Sequence, residues 1–145
     1  MATSATAELV AIGAVLARCP PVSAAWVFGS VGRGDATATS DLDVAVLLSR
    51  APTEEDQVAL RMLSVELERF SPSGRVDIVV LGRQGPVFRH RVLREGKLVL
   101  DRDVAARHEF ETRAIIDYLD WKPTHDIAMA ATFAGLRDRF AKGTR

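Results

Sequence analysis

The sequence predicts an α+β (mixed α/β) single domain, a mixed β-sheet with helices packed on it, and three observations carry that prediction. Helix-like and strand-like segments alternate in the order α-β-β-α-β-α-β-α, the pattern of elements that cover both faces of a sheet. Three short apolar runs, at 24–28, 42–48 and 76–81, have the length and bounding turn residues of buried strands. At 145 residues the chain is one domain by length, and a chain of this size buries roughly 68–70% of its unfolded surface.

Each element follows from local sequence. Residues 4–18 place Leu9, Ile12 and Leu16 at helical spacing, and Cys19, Pro20 and Pro21 end that segment. A strand over 24–28 runs into Gly29 and Ser30, followed by a loop rich in Gly, Ala, Thr and Ser through Ser40. One helical turn is expected within it, at 31–35. The second strand spans 41–48. Thr53 and Asp56 have capping-box spacing, with Asp in place of the usual Glu or Gln, and open a helix with an apolar face of Ala59, Met62, Leu63, Leu67 and Phe70. After the turn Ser71-Pro72-Ser73-Gly74 comes a third strand at 75–81. A short helix over 85–95 is expected to stop at Gly96 in a left-handed cap, and 97–100 to form an edge strand. A last long helix spans 104–121, and Pro123 is expected to break it.

The chemistry lies at the ends of the first strands. Gly29 and Ser30 offer backbone N–H groups and a hydroxyl to phosphate oxygens without side-chain bulk. After a ten-residue gap come Asp41 and Asp43, two apart, so on a strand they share a face. Two carboxylates about 4 Å apart repel by about 4 kcal/mol at an effective dielectric near 20, so the site calls for a cation or a proton. Oxygen ligands favour Mg²⁺, which takes its remaining ligands from water and substrate phosphates. Asp77, at the start of the third run, is the candidate third ligand or general base. Arg33 either neutralises triphosphate charge with its fork of donors or is a solvated loop arginine. The cluster Arg89, Arg91, Arg94 and Lys97 either meets an acidic partner or RNA, or is a solvated helix face. His90, His108 and His125 lack metal-ligand spacing and read as surface or structural residues.

Gly29, Ser30, the ten-residue gap, Asp41, Asp43 and the later Asp77 resemble the signature of the polymerase-β-like nucleotidyltransferases. The small size resembles the minimal nucleotidyltransferase (MNT) branch, over roughly residues 8–120. The resemblance implies a metal-dependent transfer of AMP from ATP to a hydroxyl, with one or two Mg²⁺ ions and release of pyrophosphate. It implies Asp41, Asp43 and Asp77 as catalytic and metal-binding residues, and Gly29, Ser30 and Arg33 as nucleotide-binding ones. In that branch the chain is often the antitoxin partner of a HEPN-domain ribonuclease toxin, and the implied acceptor is a tyrosine of the toxin.

Composition narrows the alternatives. Nineteen basic residues balance nineteen acidic ones, which argues against duplex DNA or bulk RNA as the main partner. No apolar run approaches a membrane span. Residues 1–8 carry no positive charge ahead of an apolar stretch, so no secretory signal is expected, and the single Cys19 fits a reducing cytoplasm. Residues 1–122 read as the nucleotidyltransferase domain and 123–145 as a helical tail. In that tail Thr124 is placed to cap a helix whose Met129, Phe133, Leu136 and Phe140 form one apolar stripe. The stripe either folds back on the sheet or fills a protein partner's groove; a homo- or hetero-oligomer is expected in the second case. Two other functions stay open: transfer to a small hydroxylated molecule or an RNA end, and a non-catalytic binding antitoxin.

Overall fold

A computed structural model describes residues 2–142. In chain order it contains α1 (Ala2–Leu16), β1 (Val22–Phe28), α2 (Gly29–Arg33), β2 (Leu42–Leu48), α3 (Glu54–Leu67), β3 (Val76–Val80), α4 (Pro86–Glu95), β4 (Lys97–Asp101) and α5 (Val104–Lys142). The four strands form one sheet in the order β3-β2-β1-β4. β1 is antiparallel to β2 and β4, while β2 and β3 run parallel and are joined by the crossover helix α3, as parallel neighbours require. The sheet is mixed, as the sequence predicts, and β4 lies at its edge.

Both faces of the sheet are covered, which is why β1 and β2 read as nearly continuous apolar runs. On one face Val22, Ala25, Val27, Leu42, Val44 and Val46 pack with Ile12, Leu16, Leu60, Leu63 and Leu67 of α1 and α3. On the other, Ala24, Trp26, Phe28, Ala45 and Leu47 pack with Val92 of α4, and with Phe110 of α5 against them. Cys19 is buried and free. The Thr53–Asp56 capping box is formed on both sides. Arg50 grips Asp56 with two bonds of 2.6 and 3.1 Å.

Arg102 closes the corner between α1 and β1. Its guanidinium donates to the carbonyls of Ala17, Cys19 and Val22 at 2.6–2.9 Å, tying together the turn through which α1 passes into β1.

Four local expectations are corrected. Met62 points to solvent at 68% exposed, and the buried stripe of α3 runs instead through Leu60, Leu63 and Leu67. The helical turn in the Gly-Ser loop starts at Gly29 rather than at residue 31. Gly96 ends α4 with φ −73°, not left-handed; it is small because a β-carbon there would meet the Val92 carbonyl at 2.5 Å and Trp26 at 3.2 Å. Pro123 does not break the last helix, and Thr124 caps no new one: α5 continues to Lys142, about 58 Å at 1.5 Å per residue. Proline deprives the Leu119 carbonyl of its helical donor, yet Leu119 is exposed and water can take that place. From 122 to 141 every residue is exposed, so the stripe does not fold back on the sheet. Residues 143–145 of the expected tail lie outside the described residues.

Candidate active site

The three acidic residues are placed by strand register. Phe28, the last residue of β1, pairs with Asp43 on β2, and Asp43 pairs with Asp77 on β3. Paired residues on adjacent strands point to the same face, so Phe28, Asp43 and Asp77 form one row across three strands. They lie at the end of the sheet from which α2 departs, on the face covered by α4, where Phe28 meets Phe88 edge-on at 5.5 Å.

Asp43 is the centre of this arrangement. Gly29 opens α2 with φ +66° and lies directly under the carboxylate: a β-carbon there would stand 2.3 Å from Oδ2. Burial pushes the Asp43 carboxyl above the usual carboxylate range. The negative charges of Asp77 and then Asp41 push it further, against the opposing pull of Arg91 and Arg33. The repulsion that the sequence assigns to Asp41 and Asp43 is thus exerted more strongly by Asp77.

Asp41 sits just before β2 and faces other partners. Its Oδ1 accepts from the Ser73 hydroxyl at 2.7 Å and from Nε of Arg75 at 2.9 Å. The Ser73 bond, helped by Arg75, holds its carboxyl below the usual range against partial desolvation. The backbone is tied to the same turn, since Ser73 N–H donates to the Ser40 carbonyl at 3.0 Å and Leu42 N–H to that of Arg75 at 2.9 Å.

Among the described residues no three His, Cys, Asp or Glu side chains are gathered closely enough to hold a metal ion. The structure brings Asp43 and Asp77 together and leaves Asp41 bonded beside them. The donor set still fits a hard divalent cation. Asp43 is a desolvated carboxylate in negative surroundings, backed by a second carboxylate in register, and all the donors are oxygens.

The other predicted residues fall as follows. Ser30 stands in the first turn of α2, half-buried, and its hydroxyl makes no hydrogen bond among the described residues. Arg33, at the end of α2, is shared between Asp35 (3.4 Å) and Glu95 (3.8 Å). The basic cluster is not a uniform patch. Arg89 donates to the Leu81 and Gly82 carbonyls and pairs with Asp117, while Arg91 and Arg94 lie against Glu95. His90 of α4 stacks on Tyr118 of α5 at 3.8 Å, and His125 on Trp121 within α5 at 4.4 Å. A cleft of about 320 Å³ lined by Ser23, Leu47, Phe110 and Arg113 opens at the far end of the sheet and touches none of the carboxylates.

Sequence reasoning passed over Ser73, Arg75 and the closeness of Arg91 to Asp43. The signal for the first two is the parallel register of β2 and β3, in which Leu42 faces Val76 and so brings the residues just before each strand side by side. Nothing in the spacing of Arg91 points to Asp43.

Comparison with known proteins gives the family and the fold. The family model for polymerase beta nucleotidyltransferases matches residues 11–105. A solved toxin–antitoxin structure with AMP-PNP shares 22% identity at a TM-score of 0.70, over 87% of this chain and 98% of that one. The MNT antitoxin in complex with a tri-AMPylated HEPN toxin from Shewanella oneidensis shares 20% identity at a TM-score of 0.67, over 89% and 98%. A toxin–antitoxin MntA–HepT structure shares 19% identity at 0.66, over 88% and 98%. At these identities the likeness is one of fold. No curated protein sequence matches the chain.

Proposed function

Because the chain belongs to the polymerase β nucleotidyltransferase family, we propose that it transfers AMP from ATP to a hydroxyl of a partner protein, a tyrosine of a HEPN toxin, and acts as its antitoxin. The observation that carries this reading is the in-register pair Asp43 and Asp77 with Gly29 directly beneath the Asp43 carboxylate. Solved structures of similar fold support the partner and the nucleotide: one holds AMP-PNP, another an AMPylated HEPN toxin with its MNT antitoxin.

In this reading Asp43 and Asp77, with Asp41 beside them, would hold one or two Mg²⁺ ions; Ser73 and Arg75 both engage the same oxygen of Asp41, Oδ1. Bound there, Mg²⁺ supplies neutralisation of the charge that develops on the phosphoryl oxygens during in-line displacement. Gly29 lets the triphosphate approach the backbone, Ser30 donates its hydroxyl to a phosphate oxygen, and Arg33 adds positive charge. The acceptor oxygen bonds to the α-phosphorus as the bond to pyrophosphate breaks. The acceptor proton passes to a carboxylate of the site, for which Asp77 is the candidate. The outer half of α5, within residues 123–145, is a protein-binding element. The buried lone Cys19 supports a cytoplasmic setting, and among the described residues no helix is long and apolar enough to cross a membrane.

One observation favours a second reading. Oδ1 of Asp41 is already engaged by Ser73 and Arg75, as it would be in a binding antitoxin that has lost its chemistry. A single experiment separates the two. Labelled ATP, Mg²⁺ and a cognate HEPN toxin should give a labelled toxin and free pyrophosphate. Asp43→Asn should lose several orders of magnitude in rate, because charge stabilisation carries most of phosphoryl-transfer catalysis. Neutralisation of the toxin by wild type and Asp43→Asn alike, with no label transferred, would establish the binding antitoxin instead.

A further inference from the structure

α5 carries an apolar seam that the rest of the chain leaves uncovered. Ile115, Leu119, Met129, Phe133 and Leu136 are between 40% and 63% exposed. With Thr112, Lys122 and Asp126 they continue one unbroken alternation of three- and four-residue steps from 112 to 136. That alternation, sustained over more than three heptads, is the pattern of a coiled-coil seam. At 3.6 residues per turn it lies about a quarter turn around the helix from Phe110, Ala114, Tyr118 and Trp121, the half-buried or buried side chains that face the body.

Two polar side chains interrupt the seam at its middle, one of each sign. Neither Lys122 nor Asp126 takes part in an ion pair or hydrogen bond among the described residues, and both are exposed. We propose that a second copy of this chain docks antiparallel along α5, with the twofold axis at residue 124. In that register Lys122 faces the second copy's Asp126 and Leu119 faces its Met129. Ile115 then faces its Phe133, and Thr112 its Leu136. Every layer joins an a position to a d position, which is how antiparallel coiled coils pair. A parallel, in-register pair would instead set Lys122 against Lys122 and Asp126 against Asp126. Charge complementarity therefore selects both the occupant and the direction. The outer half of each helix then runs along the inner half of the other, over about 36 Å. The proposal deepens the reading of the outer helix as a protein-binding element, and it does not depend on the chemistry at Asp43.

Sedimentation equilibrium of the isolated full-length chain at micromolar concentration tests it. A dimer is expected. Lys122→Glu and Asp126→Lys should each weaken it by about tenfold or more, and the double reversal should restore it, with circular dichroism showing that all three variants stay folded. Under mild oxidation, Leu119→Cys mixed with Met129→Cys should give a disulfide-linked pair that neither variant forms alone, since Cys19 is buried. A monomer at that concentration would overturn the proposal, as would a dimer indifferent to both charge reversals or a Leu119→Cys variant that links to itself. A monomer that binds a HEPN chain through Phe133 and Leu136 would retire the second copy as occupant and leave the protein-binding reading standing.

Discussion

Gly29 and Asp43 are in direct contact across the β1–β2 pair, the carboxylate resting where a side chain on residue 29 would begin. Gly29→Ala therefore meets two penalties. The left-handed backbone at φ +66° costs a residue with a β-carbon about 1–2 kcal/mol, and the new methyl must displace Oδ2 of Asp43. Urea denaturation should show that loss of stability, and stabilisation by Mg²⁺ with ATP should disappear with it. A variant as stable and as responsive as wild type would remove Gly29 from the site.

Asp77→Asn should make the nucleotide-free protein more stable at neutral pH. The folded pKa of Asp43 is raised, so its ionised form is a cost above that pKa and is relieved as pH falls through it. Taking away the Asp77 charge lowers this cost and brings the Asp43 titration down, as carboxyl NMR would read. Wild type should gain about 2.7 kcal/mol at a Mg²⁺–ATP concentration one hundred times Kd. Asp77→Asn should gain much less, and an equal gain would take Asp77 out of the ligand set.

Ser73 and Arg75 should be separable by their effect on Asp41. Ser73→Ala removes a hydrogen bond and Arg75→Gln a charge as well as a bond, so both should move the Asp41 titration upward and only the second shift should shrink with added salt. Because the folded pKa is lowered, this carboxylate stabilises the fold above its unfolded pKa and less so as pH falls below it. The Arg75 side chain is 71% exposed, so its removal should change overall stability by no more than about 0.5 kcal/mol.

Acid should unfold the chain partly through Asp56. Arg50 and the Thr53 amide hold its carboxyl down to about 2, against about 3.9 in an unfolded chain. Its contribution is complete above about pH 4 and is lost as pH falls toward 2. Asp56→Asn should flatten the stability curve across that window and lower the neutral-pH plateau. A curve with unchanged slope would show that Asp56 is not linked to folding.

At dilutions where the chain is monomeric, Phe133→Ser and Leu136→Ser should leave the stability of the sheet within about 0.5 kcal/mol of wild type, since both side chains are exposed on α5. Had they packed on the sheet, losing a large aromatic would cost about 3–5 kcal/mol. Denaturation followed through the buried Trp26 reads the difference, and a large loss would mean that the outer helix returns to the body.

The row of the candidate site was legible because strand periodicity and turn chemistry are local. Asp43 falls at the start of an apolar run that must be a strand, and Gly29 at the end of another. What escaped was non-local. Asp41 is two residues from Asp43, yet its carboxylate answers to Ser73 and Arg75, brought alongside by a parallel register that no spacing encodes. Met62 is expected on the apolar face of its helix, but the helix turns Leu60 inward instead. Pro123 looked like a stop because proline weakens any helix interior. That argument ignores how little it costs to leave one carbonyl open to water on a solvated helix.

The bonds from Arg102 to the corner after α1 span about eighty residues of chain. During synthesis, α1 is therefore completed only long after it has been made. Until β4 and Arg102 have emerged from the ribosome, the carbonyls at Ala17, Cys19 and Val22 lack their guanidinium donor, and β1 lacks one of its two neighbours. A nascent chain halted before residue 102 should expose the α1–β1 corner to proteases, and one halted after β4 and the first turns of α5 should protect it. The birth of this domain waits on one arginine some eighty residues downstream of the corner it closes.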